Sequence, residues 1–278
     1  MTTLVIGARG SVGRHVLEQL RAAGEPVRAS VRDLATAGDL PRGVPVVAAD
    51  LSDPATLPAA LDGVRQVFAY AVPQMANLAR AARGAGVEHV VLMSSGSVLL
   101  PWTATNAIAR EHRHAEAALA GHGPRTTPIR PLVLAGNALG WRHSIRRDGV
   151  VKFAHPDAAT APVHEHDIAA VAVAALTGTT GRVSDLLTGP ALVSQRHQAE
   201  LIAVATGRPI RVEELTEAEA LGLFAKFMPR EEAAAVLEFI ADAAKGGSPA
   251  TDTARRVLGR DPLPFARWAT DHAADFRP

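Results

Sequence analysis

The feature that most constrains this chain is Gly7-Ala8-Arg9-Gly10-Ser11-Val12-Gly13, a glycine-spaced turn between an apolar run and an amphipathic one. Before it, Thr3–Ile6 reads as a strand. After it, Val12, Val16, Leu17 and Leu20 recur on one face of a helix that runs to Ala22. A helix N-terminus offers unpaired N–H groups and the positive end of a dipole, and small residues let an anion approach the backbone. A glycine triplet alone is weak support, since such a turn can serve tight packing only. In a strand–turn–helix setting it predicts a cradle for the phosphates of a dinucleotide.

The rest of the first half repeats the rhythm. Val27–Val31, Val44–Ala48, Val64–Tyr70, His89–Met93 and Thr126–Ile129 read as strands. Helical patterns occupy Pro54–Leu61, Pro73–Ala85 and Ala107–Ala120. Strands alternating with helices predict an α/β fold, a Rossmann-type doubly wound parallel sheet covered on both faces. After Pro131 the rhythm breaks. Candidate strands remain at Val150–Phe153 and Val183–Leu187, among helices at His166–Leu176, Ser194–Thr206, Glu217–Phe227, Glu231–Ala244 and Phe265–Ala274. The expected division is a nucleotide-binding unit over 1–135 and a smaller, helix-rich substrate or partner lobe over 136–278, some of whose strands return to the main sheet.

Composition narrows the function. The 278 residues carry 29 basic and 28 acidic side chains, a balance that argues against a nucleic-acid partner. Arg142, Arg146 and Arg147 are a local basic group near Trp141. The chain has no cysteine, hence no disulfide, thiolate metal site or cysteine nucleophile. No apolar run approaches the ~20 residues that cross a bilayer, and the N-terminus enters a strand without a basic leader. The expectation is a cytoplasmic protein with no membrane partner.

The G-x-x-G-x-x-G spacing resembles that of atypical short-chain dehydrogenase/reductases. Further segments resemble the NmrA-like branch: VRASVRD (Val27–Asp33), VVLMSS (Val90–Ser95), Ile129-Arg130-Pro131, VHEHDIAA (Val163–Ala170), Leu187-Thr188-Gly189-Pro190 and ATGRP (Ala205–Pro209). They span nearly the whole chain in order. The resemblance implies a nicotinamide dinucleotide held by Gly7 through Gly13. Asp50 and Leu51 would meet the adenine, though Asp50 could instead cap the following turn. Ala69, Tyr70 and Ala71 would line the cofactor's ribose, Pro131 and Leu132 would pass the nicotinamide end, and Ser94 would also contact the cofactor. Tyr70, the sole tyrosine, equally fits a strand-end aromatic packed in the core.

NAD-specific sites place a carboxylate at the end of the second strand. Here Ser30 and Val31 lead into Arg32, whose guanidinium suits a 2′-phosphate. Arg9 could reach the same group. Asp33 would weaken that site or pair with Arg32, and both could simply form a solvated turn. The cofactor expected is NADP(H) ahead of NAD(H).

Standard short-chain dehydrogenases use a serine, a tyrosine and a lysine four residues after the tyrosine. Ser94, Ser95 and Ser97 supply the hydroxyl, and Ser95 is the candidate. Placing Glu116 on the glutamate common in the NmrA-like branch puts Ile108 in the tyrosine slot and His112 in the lysine slot. The usual proton donor is then absent. His112 is the candidate replacement, unless it belongs to a polar helix face with Arg110, Arg113 and His114. Asn137 and Trp141 fall at the start of the second lobe, Trp141 as its anchor or as a substrate contact. His164-Glu165-His166-Asp167 precedes a helix, where capping or packing explains it better than a metal. Two functions follow. One is an NADPH-dependent oxidoreductase on a small quinone, enone or carbonyl. The other is a non-enzymatic redox sensor acting through a protein partner. A homodimer is compatible with either.

Overall fold

The apolar runs become the strands of one parallel sheet in the computed structural model, which describes residues 1–101, 105–121, 123–178 and 182–278. Its first half is built from β1 (Thr2–Val5), α1 (Ser11–Ala22), β2 (Val27–Val31), β3 (Val46–Ala48), α2 (Leu57–Leu61), β4 (Val64–Tyr70) and α3 (Met75–Gly84). It continues through β5 (His89–Met93), α4 (Ala107–Leu119) and β6 (Arg125–Pro131). Later come α5 (Arg142–Asp148), β7 (Val150–Phe153), β8 (Ala159–Thr160), α6 (Glu165–Leu176), β9 (Leu186–Leu187), β10 (Val193–Ser194) and α7 (Gln195–Thr206). The chain ends with β11 (Arg211–Glu214), α8 (Glu217–Phe224), α9 (Arg230–Ala244), α10 (Thr253–Leu258) and α11 (Phe265–Asp271).

The sheet runs β3-β2-β1-β4-β5-β6-β9, every pair parallel. The order reverses at β1, where the chain leaves for β2 and later returns to β4, and the glycine turn sits at that switch point. Central strands are apolar on both faces because helices cover both. On one side Val16, Leu17 and Leu20 of α1 pack with Ile168, Val171 and Ala172 of α6. On the other, Leu57, Met75, Leu78, Ala115 and Leu119 from α2, α3 and α4 form a second core. Eight of the twelve α6 residues are buried, since that helix also touches α10.

Beyond Pro131 the chain is interleaved with the sheet. Helix α6 covers one face and β9 adds a strand beside β6. Strand β9 pairs only Arg130 and Pro131, leaving the start of β6 as an edge that tolerates Pro128. The remaining elements build a lobe around Phe153, Ile202, Phe265, Trp268 and Phe276. Two small ladders brace it, β7 parallel to β11 and β8 antiparallel to β10.

Boundaries differ from the sequence expectation where local chemistry intervenes. The helix expected over Pro54–Leu61 opens as a 3-10 turn, Pro54–Thr56, capped by Asp53. The strand expected over Val183–Leu187 pairs only at its last two residues. The helix expected over Phe265–Ala274 ends at Asp271 and resumes as a 3-10 turn, Ala273–Phe276. Helices α5 and α10 and strand β11 had no periodic signal of their own. Both helices stop at a left-handed glycine, Gly149 and Gly259. No helix of the described residues is long and apolar enough to cross a membrane.

Candidate functional site

The glycine turn lies at the carboxyl end of β1. Gly7 adopts φ +76°, and its carbonyl accepts the Gly10 N–H at 2.8 Å, closing the turn. Gly10 caps α1 in extended conformation, with no side-chain cap on the helix and no acidic residue in its first turn. The first N–H groups of α1 therefore meet no carboxylate of the chain's own. A side chain at position 13 would put its Cβ 2.2 Å from the Gly7 carbonyl oxygen, so only glycine lets α1 sit this close to the turn. The cradle suits a pyrophosphate: α1 opens without a side-chain cap, and Gly10 and Ser11 at its start are exposed. Tyr70, at the end of β4, forms one wall. A Cβ on Gly7 would lie 2.7 Å from its Cε1, so the ring rests against the glycine, and Tyr70 remains partly exposed.

Toward β2 and β3 the site carries charges of both signs. Arg32 is exposed, and no carboxylate lies within ion-pairing distance of it among the described residues. Asp33 is turned elsewhere: its Oδ1 accepts the Ala35 N–H at 2.9 Å, capping the 3-10 turn Leu34–Asp39. Arg9 is half-exposed, and its Nε donates to Asp39 at 2.8 Å. The Asp50 Oδ1 accepts both the N–H and the hydroxyl of Ser52, which hold its carboxyl below the usual range. Asp50 thus closes the short turn at Ser52, while Asp53 caps the helical turn that follows. Leu51 is buried in the core beneath.

At the other end, Ala69 is buried in β4 and the Ala71 N–H continues the ladder to the Met93 carbonyl at 2.9 Å. Ser94 is 4% exposed, and its hydroxyl donates to Glu116 Oε1 at 2.6 Å. That hydroxyl is already spent. Ser95 caps the 3-10 turn Gly96–Leu99 and lies 2.9 Å from the Ser97 hydroxyl. Pro131 is buried, and the Leu132 N–H donates to the Leu187 carbonyl.

Helix α4 carries the candidate proton donor. Asn106 caps it, accepting the Ala109 N–H, and donates to the Ala235 carbonyl and Glu238 of α9. His112 is half-buried, and its Nδ1 has no hydrogen-bond partner among the described residues. Burial lowers its pKa, and Glu111 and Glu116 offset that only in part, so the ring is neutral at pH 7. Arg110, by contrast, is exposed and pairs with Glu231 of α9. Ile108, half-buried one turn before His112, offers no proton.

Sequence reasoning used Glu116 only as a marker of register, and Arg130 only as part of a motif. The structure joins them. Arg130 grips Glu116 through Nε (2.9 Å) and Nη2 (2.6 Å), and its Nη1 donates to the Ser184 carbonyl. Burial opposes the Glu116 charge, but Arg130 and Ser94 outweigh it and hold the carboxyl below its usual range. The available signal was an acid one turn after His112 on a buried face.

The His164–Asp167 segment is a clasp. His164 accepts the His166 N–H at its Nδ1 and caps α6. Glu165 Oε1 accepts from Trp268 Nε1 and from His272 Nε2 at 2.8 Å. Asp167 accepts from Arg260 and from the Leu263 N–H. Trp141 packs edge-on against Phe153 in the second lobe, and Asn137 is exposed.

Residues 7–179 match the NAD(P)H-binding family. The chain belongs to that family. Along its full length it is also similar to curated reductases. It is 38% identical over 284 residues to the (4-alkanoyl-5-oxo-2,5-dihydrofuran-3-yl)methyl phosphate reductase of Streptomyces griseus, covering 99% of both chains. It is 35% identical to the NAD(P)H azoreductase of Xenophilus azovorans, with 98% of each covered. Among solved structures, the NADPH complex of an NADPH-dependent quinone oxidoreductase from Escherichia coli superposes with a TM-score of 0.80 at 26% identity. That match covers 98% of this chain and 99% of the other. The member described here thus binds NAD(P)H on a fold shared with an NADPH-dependent enzyme.

Proposed function

We propose that this protein is an NADPH-dependent reductase of the NmrA-like branch, acting on a small conjugated acceptor such as a quinone, enone or azo compound. The reading is carried by one pairing: an intact dinucleotide cradle beside Arg32, together with Ile108 where standard enzymes hold a tyrosine. Full-length relatives named as reductases support it. In this reading 1–135 holds the cofactor and 136–278 shapes the substrate pocket, with Pro131 and Leu132 beside the nicotinamide.

Bound NADPH supplies a hydride, and the acceptor takes up that hydride and one proton. The chain's own contribution is placement and protonation. The first turn of α1 binds the pyrophosphate, Arg32 pairs with the 2′-phosphate, and Tyr70 walls the ribose. His112 holds a proton on a neutral ring, which makes it a weak acid. A weak acid suits acceptors that spread the arriving charge over a conjugated system, because these need less protonation in the transition state than an isolated ketone.

The test is NADPH consumption with a panel of quinones, enones, azo dyes and simple ketones. Turnover of the conjugated acceptors, with simple ketones at least about tenfold slower, is the expected result. His112→Ala should lower kcat about 100-fold while leaving NADPH affinity unchanged. NADPH binding without turnover of any acceptor would refute the enzymatic reading, and undiminished turnover in His112→Ala would remove that residue from it.

A further inference from the structure

Glu116 takes no part in the chemistry just described, yet it is the most heavily engaged carboxylate near α4. Its Oε1 receives the Ser94 hydroxyl and Arg130 Nε, and its Oε2 receives Arg130 Nη2. Both partners of the ion pair are less than one-fifth exposed, at 18% and 19%. The three residues come from three elements. Ser94 directly follows β5, Arg130 lies at the end of β6, and Glu116 belongs to α4, one turn after His112. Arg130 extends the link to the Ser184 carbonyl, just before β9.

We propose that Glu116 is a positioning residue for the reduction, fixing the ends of β5 and β6 against α4 so that His112 and Pro131-Leu132 keep their places around the cofactor's nicotinamide. A buried ion pair contributes little net stability compared with apolar residues of the same shape, because desolvation cancels most of the attraction. Its effect lies in geometry. The planar guanidinium meets the carboxylate at two points, which fixes both distance and orientation. Hydrogen bonds between backbones already align β5 with β6, the Ser94 N–H donating to the Ile129 carbonyl. No such ladder ties a helix to a sheet. The Glu116 carboxylate supplies the missing polar link, and displacement of reacting groups by about 1 Å can cost on the order of 100-fold in rate.

The proposal rests on the functional reading above, which sets the nicotinamide at the ends of β5 and β6. Its test compares wild type with Glu116→Gln, Arg130→Met and the double variant, measuring kcat, acceptor KM, NADPH Kd and Tm. Glu116→Gln should lower kcat about 10- to 100-fold, with NADPH Kd within about twofold of wild type. The double variant should be no slower than the worse single one, because both remove the same link. A second readout is the pH profile of kcat. The charged groups on His112 are Glu111 and Glu116 of α4, with Glu232 of α9 facing Glu111. Loss of the Glu116 charge should move the His112 limb to lower pH, which a purely structural defect would not do.

Should Glu116→Gln fail to fold, Arg130→Lys keeps the charge but loses the two-point contact, and should give a smaller loss in kcat at unchanged NADPH Kd. Full kcat with an unshifted pH profile in a folded variant overturns the proposal and leaves the reductase reading intact. Losses of kcat and NADPH affinity in equal proportion also overturn it. A wild type that consumes no NADPH with any acceptor removes the reading and the proposal together.

Discussion

At the scale of single residues, the site is decided by which charges have partners. Asp33 spends its carboxylate on the Ala35 N–H, so the neighbouring Arg32 keeps its charge for an incoming anion. Arg32→Ala should therefore weaken NADPH about 10- to 100-fold, the worth of a charge-assisted pair, and shift NADH by less than about twofold. Titration of the two cofactors against the variant checks this, and equal losses for both would refute it. His89 shows the opposite arrangement. It is buried, its Nδ1 accepts from Arg125 at 3.0 Å, and its Nε2 donates to Thr127 at 2.9 Å. Burial, helped by the Arg125 charge, pushes its pKa down from 6.5 to about 4. A depressed histidine contributes stability above its unfolded pKa and loses it as pH falls toward the folded value. Unfolding free energies from urea titrations should thus decline between pH 6.5 and 4 by up to about 3 kcal/mol from this residue. His89→Gln, which keeps a donor and an acceptor, should flatten that decline.

Among elements, the decisive contact is the one between the start of α6 and the C-terminal segment. Three side chains of α6 and its cap, His164, Glu165 and Asp167, are almost fully buried. Such carboxylates persist in a core only when paired. Arg260, Trp268 and His272 pair them, and His272 also donates toward Asp275 at 2.9 Å. With carboxylates at both nitrogens, and chiefly through Glu165, the His272 pKa is raised. Its contribution is complete below pH 6.5 and is lost as pH rises through the raised value. Arg260→Ala leaves Asp167 buried with the Leu263 N–H and the His166 ring, whose Nδ1 lies 3.9 Å from Oδ1. Because Arg260 is 41% exposed in its side chain, solvent screens part of the pair, and the expected cost is about 2 kcal/mol. Chemical denaturation of the variant measures it, and a change below about 0.5 kcal/mol would mean the clasp is not strained by the loss.

At the scale of the molecule, α6 and β9 matter most. They follow the break after Pro131, yet they complete the sheet and cover its α1 face. The two halves of the chain therefore share a core. One cooperative unfolding transition is expected, and NADPH at 100 times its Kd should move all of it, adding about 2.7 kcal/mol. Calorimetry with and without NADPH tests this. Two transitions, only one responding to cofactor, would show that the halves unfold separately.

The sequence by itself determined what depends on neighbours along the chain. The period of apolar residues set strands and helices, and the glycine spacing set the turn at β1, because backbone freedom and close approach are properties of single residues in a short frame. It also offered Arg32 for a 2′-phosphate and, on the register set by Glu116, Ile108 in the tyrosine slot. What it left open needed partners far apart in the chain. Tyr70, open to a core or a cofactor role, rests partly exposed against the face of Gly7, a contact that no local pattern records. Glu165 meets His272 across 107 residues, and no local pattern records that meeting. The same holds for Glu116, where an ordinary helical glutamate becomes a clamp only when the ends of β5 and β6 are brought to it. Tertiary structure decided these points because burial turns a charge's choice of partner from a matter of indifference in water into one of several kcal/mol.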